Sequence, residues 1–113
     1  MLTDYEQRKL LPVLLRELPN HKGKKYALRI KDIAQGLNRW AEVKVTDFTV
    51  TKLLDEIILG QMVNGLIIDG KLVYIATNVR ELHQYMGRLD AKIKHLCCIR
   101  ERVKQQVNEY AQG

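Results

Sequence analysis

The stretch from Thr46 to Ala76 constrains this chain most, because a helical period passes into a strand period within it. In TDFTVTKLLDEIILGQMVNG, Thr46 and Asp47 carry oxygens that can accept from the free N–H groups of a first turn. Val50, Leu54, Ile57 and Ile58 then fall on one stripe. The continuation LIIDGKLVYIA places two β-branched or aromatic runs around Asp69-Gly70. That dipeptide tolerates positive φ, and the pattern predicts an antiparallel hairpin closed by a tight type I′ turn.

Upstream, the spacing predicts a first helix from Thr3, with Glu6 placed for a capping box and Leu10, Leu11, Leu14, Leu15 and Leu18 as its apolar face. Pro12 lacks an N–H and crowds the preceding turn, so a kink or two short helices is expected there. Pro19-Asn20 ends the element. The loop that follows carries Lys22, Lys24 and Lys25 around Gly23, and reads equally as a solvated connector or as a phosphate-contacting loop. Ala27 to Arg29 can add a short strand before a second helix, residues 30–37, with Ile30, Ile33, Ala34 and Leu37 in phase. Trp40 and Val43 fall in the connector, where a partly buried anchor is the expected role.

Downstream, Asn78 is the expected cap of a long helix, answered by Glu81 three residues on. No proline follows it. Met86, Leu89, Ile93, Leu96, Arg100, Val103, Val107 and Tyr110 alternate at spacings of three and four, which is a heptad seam. A helix of that length runs about 50 Å, more than the small domain before it can cover. The seam therefore predicts a homodimer, unless the helix folds back through Leu82, Tyr85, Met86 and Leu89. Arg100 disfavours simple parallel pairing and favours an antiparallel or offset one. Residues 1–77 and 78–113 are the expected units.

With 113 residues there is room for one domain and an appended element. A charged fraction of 28% beside a hydrophobic fraction of 46% excludes a disordered chain, and no apolar run approaches the roughly 20 residues of a membrane span. The N-terminus lacks the features of a signal peptide, and adjacent Cys97 and Cys98 diverge on a helix. A cytoplasmic setting with reduced thiols is expected. The net charge of +6 is uneven. Residues 1–40 hold nine Lys/Arg against four Asp/Glu, residues 41–78 three against five, and residues 79–113 seven against four. Basic ends flank an acidic centre, so phosphate contacts would come from the ends.

Catalytic patterns fail on mechanism. Gly65 to Leu72 approaches a P-loop, but Leu72 stands where a hydroxyl is needed and the interior is a strand entering a turn. His95 and Cys98 share a helical face without the further ligands of a closed metal site. The chain has no serine, and Asp55 and Glu56 diverge as adjacent helix residues. No enzyme activity, cofactor, metal or small-molecule substrate is expected.

The segments LLPVLLRELPNHKGKK, RIKDIAQGL, VTDFTVTKLLDEII and LVYIATNVRELHQYMGRLDAKI together resemble small phage and prophage proteins with an N-terminal winged helix and a helical tail. The resemblance covers nearly the whole chain and implies a mainly α fold with a small β-hairpin wing (α+β), a winged helix-turn-helix followed by a long C-terminal helix. It also implies binding to double-stranded DNA, as a transcriptional regulator or a phage replication accessory factor acting as a dimer. Thr46, Thr49 and Lys52 would face the major groove, Lys71 would sit at the wing tip, and Lys22, Lys24 and Lys25 would meet phosphates. The chain departs from the group at Asp55 and Glu56, where basic or neutral residues are usual. The alternative is a protein-interaction or assembly module built from the same parts without direct DNA contact.

Overall fold

The computed structural model describes residues 2–112 and is mostly helical, with a small three-stranded antiparallel sheet and a long C-terminal helix. Thr3 opens the first helix as its spacing with Glu6 requires: the Glu6 N–H donates to Thr3 Oγ1, and the Thr3 N–H donates to Glu6 Oε1 at 2.8 Å. Pro12 does not split the element. Glu6–Leu10 winds as a π turn before α1 (Leu11–Glu17), and Pro12 sits at the start of that α segment. The widened turn takes up the crowding that proline would impose on the carbonyl four residues earlier. Leu10, Leu14 and Leu18 face inward.

Two further helices, α2 (Ile30–Asn38) and α3 (Asp47–Leu59), pack on each other and on α1 through Ile33, Leu37, Val50, Leu53, Leu54 and Ile57. The connector between them is held by one side chain. Asn38 Nδ2 donates to the Val45 carbonyl at 2.6 Å, and Asn38 Oδ1 accepts from the Val45 N–H at 2.7 Å. Asn38→Leu leaves both backbone groups without these partners, so a loss of roughly 2–4 kcal/mol is expected in urea unfolding, against well under 1 for Gln35→Leu on the exposed side of the helix.

The sheet has the order β1-β3-β2, from β1 (Leu28–Arg29), β2 (Leu66–Asp69) and β3 (Leu72–Ile75). The hairpin differs from expectation by one residue. Asp69 pairs with Leu72, so the two-residue loop is Gly70-Lys71, and only Gly70 has positive φ, at 61°. These are the requirements of a type II′ turn with glycine first, not of the expected type I′ turn on Asp69-Gly70. Asp69 therefore belongs to the strand. Leu66, Val73 and Ile75 join the helical core, while Ile67 and Tyr74 face each other across the strands and are also buried.

α4 (Val79–Gln112) starts beside β2, one of the two edge strands of the sheet. Asn78 Oδ1 accepts from the Glu81 N–H, as expected, but the Glu81 carboxylate answers one residue earlier, accepting from the N–H and hydroxyl of Thr77. These bonds hold the Glu81 carboxyl below its ordinary pKa. Tyr85 is half-buried with its phenol oxygen accepting from the Ile68 backbone N–H, and Arg88 Nε lies 3.8 Å from the Asp69 carboxylate. The first turns of α4 thus cap an edge that would otherwise offer unpaired backbone groups. From Leu89 to Gln112 every residue is exposed. Among the described residues, no helix is long and apolar enough to cross a membrane.

Candidate nucleic-acid interface

The residues expected to read bases from α3 are not free to do so together. Thr46 is the N-cap, and its hydroxyl accepts from the Thr49 N–H; Thr49 is only 8% exposed, with its own hydroxyl against Thr46. Their reciprocal bonds satisfy the first-turn donors of the helix. Thr49 therefore faces inward, toward the turn that also buries Leu53. Lys52 is committed elsewhere: its Nζ lies 3.1 Å from Glu6 Oε1, with its chain beside the Phe48 ring. This half-buried pair staples α3 to the first helix across a separation of 46 residues.

Glu6 shows what that pair does. Burial pushes its carboxyl up, but the Thr3 N–H and the Lys52 ammonium outweigh it and leave the pKa below the ordinary value. A carboxyl with a depressed folded pKa stabilises the fold above its unfolded pKa, and that stability is lost as pH falls through the folded value. Glu6→Gln is expected to cost roughly 1–2 kcal/mol at neutral pH. The difference from the parent protein should close in urea titrations carried below the ordinary carboxylate range.

What α3 presents to solvent is Asp47, Phe48, Thr51, Asp55 and Leu59, with Phe48 at 72% and Leu59 at 80% exposure. This face is acidic and apolar. The root of α4 flanks its C-terminal half: Leu82 lines one hollow with Ile58, and burial, with the Asp55 charge adding to it, pushes the Tyr85 phenol up.

The exposed cations gather instead around the hairpin tip. Lys71 occupies the turn, and Arg29 pairs in register with Leu72 beside it. Lys24 Nζ comes within 3.8 Å of the Asp69 carboxylate, which Arg88 approaches from α4 at the same distance. Lys25 sits over the Tyr26 ring in the same short turn as Lys24. Two cations from separate elements thus flank one acidic side chain, and Arg29 and Lys71 beside the same turn leave the tip with a surplus of positive charge.

The loop carrying Lys24 and Lys25 is ordered by its backbone. The Gly23 N–H donates to the Ile75 carbonyl, and the Ile75 N–H donates to the His21 carbonyl, each at 2.8 Å. Gly23 has φ of 80°, and a Cβ there would come within 3.1 Å of the Thr77 side chain. Lys22, exposed and bridged to Ile75, lies at the opposite end of β3 from the turn. It is separated from the turn that carries Lys71 and from Asp69, which the Lys24 side chain approaches. Arg29 and Arg88 were not among the residues singled out from the sequence; a lone cation at a strand end and another in a charged helix carry no local signal of convergence.

The seam residues of α4 all project into solvent, Met86 at 53%, Leu89 at 39%, Ile93 at 59%, Leu96 at 62%, Val103 at 50%, Val107 at 60% and Tyr110 at 86%. Arg100 is exposed in the same row, within 3.1 Å of Glu101. No family model, no curated protein and no solved structure matches this chain.

Proposed function

We propose that the protein is a winged helix-turn-helix protein that binds double-stranded DNA as a homodimer, through its hairpin wing more than through α3. The observation that carries the reading is the approach of Lys24 and Arg88 to Asp69 at the wing tip, with Arg29 and Lys71 beside the same turn. The order of three helices and three strands, with β1 pairing to the returning strand of the hairpin, supports the winged-helix assignment. Phosphate contacts of this kind give affinity and position without naming a sequence. A regulator, or an accessory factor in phage replication, fits such a wing-led binder.

Backbone NMR during titration with a short duplex tests it. Amide shifts are expected at residues 24–29 and 70–71 and to be small at Asp55 and Glu56; shifts confined to α3 would contradict it. A second reading, a protein-interaction module, is favoured by the exposed Phe48 and Leu59 among carboxylates on α3. In that case Phe48→Ala abolishes partner capture and leaves the duplex titration unchanged.

A further inference from the structure

We propose that the tails of two copies pair antiparallel about a two-fold axis at the level of Cys98, with Asp90 of each copy against the partner's Lys104. This deepens the dimeric reading above and rests on it. Met86, Ile93, Arg100 and Val107 form one column of the seam, and Leu82, Leu89, Leu96, Val103 and Tyr110 form the other.

Side by side and in register, each residue meets its own copy, so Arg100 meets the partner's Arg100 inside an apolar layer. The flanking positions then pair Lys92 with Cys97 and Ile99 with Lys104, and neither pair is complementary. Reversing one helix sets each column against the other. With the axis at Cys98, Met86 lies opposite Tyr110, Leu89 opposite Val107, Ile93 opposite Val103, and Leu96 opposite Arg100. Every seam residue from Met86 to Tyr110 is then covered, and no layer holds two arginines. The two Arg100 side chains stand about 6 Å apart along the axis, and their long stems can cover Leu96 while the guanidinium groups turn outward.

Reversal also changes which flanking residues meet, because each flank now faces its own equivalent. Asp90 comes beside the partner's Lys104 twice by symmetry, Lys92 beside Gln106, and Ile99 beside its copy. Sliding the partner by one heptad toward the C-terminus uncovers Met86 and Leu89 and separates Asp90 from Lys104. Sliding it one heptad the other way keeps the seam covered but also separates Asp90 from Lys104, so charge complementarity selects this register. Each Val79 lies about 28 Å along its helix from the axis, so the two wings sit at opposite ends of the rod. Their DNA contacts would be spaced on the order of two helical turns rather than one.

Leu89→Cys and Val107→Cys, each made in a full-length Cys97→Ser/Cys98→Ser background, test the pairing. Mild oxidation of the two variants refolded together is expected to give a covalent dimer that neither gives alone. Asp90→Lys and Lys104→Asp should each weaken the dimer roughly tenfold in sedimentation, and the double exchange should restore it. Covalent dimers from either cysteine variant alone overturn the antiparallel register, and a chain that stays monomeric well above micromolar concentration overturns the pairing altogether. Neither measurement contains DNA, so a failure here is separate from a failure of the wing to bind duplex.

Discussion

Deleting residues 93–113 is expected to convert a dimer into a monomer while the N-terminal unit stays folded. The remaining chain keeps Glu81, Tyr85 and Arg88, which are the α4 residues bonded to Thr77, Ile68 and Asp69. It also keeps every buried residue of the helical core, from Leu10 to Ile75. What it loses is a row of solvent-exposed apolar side chains. Its thermal midpoint should fall within about 5 °C of the parent unit's, since no core residue is removed. Duplex affinity should fall on the order of a hundredfold once two wings no longer act on one molecule. Sedimentation of the truncated chain checks the first outcome, and a dimer persisting without the tail would refute it.

The second large effect is expected from Lys24→Glu, Lys25→Glu and Lys71→Glu combined. Each lysine side chain is solvent-exposed, and the ion pair of Lys24 with Asp69 at 3.8 Å is a surface pair of small worth. The fold should therefore stand. Removing these three ammonium groups should make the logarithmic dependence of affinity on salt shallower by about 2.7 for each wing engaged and weaken binding at low salt by roughly two orders of magnitude. Lys22→Glu, at the far end of β3, should cost much less. Equal losses from Lys22→Glu alone would mean that general charge rather than the wing tip governs binding.

The helix starts and the core were legible in the sequence because they rest on contacts within three or four residues. Thr3 with Glu6 and Thr46 at the head of α3 cap as their spacings require, and Asn78 caps the Glu81 N–H while the Glu81 carboxylate turns to Thr77 instead. Of the residues whose spacing put them on helical stripes, Leu10, Leu14, Ile33, Leu37, Val50, Leu54 and Ile57 are buried, while Leu15, Ile30 and Ile58 are half-buried at the margin of the core. The candidate site was harder to read, because it depends on which way a side chain turns. Leu53, fully buried and four residues after Thr49, was the available signal that Thr49 faces inward. Nothing local to Lys52 could show Glu6 beside it, nor could Asn38 alone show its grip on Val45. The turn register was missed by one residue because Asp-Gly suits both turn types until the strand partners are known.

Fluorescence anisotropy of the full-length protein with a short nonspecific duplex, repeated over a series of salt concentrations, tests the central claim most directly. The account predicts binding at low salt whose affinity falls steeply and linearly on a double-logarithmic plot, with a slope that the wing-tip lysine substitutions flatten and that Phe48→Ala leaves unchanged. No binding at low salt, or an affinity indifferent to salt, would contradict it.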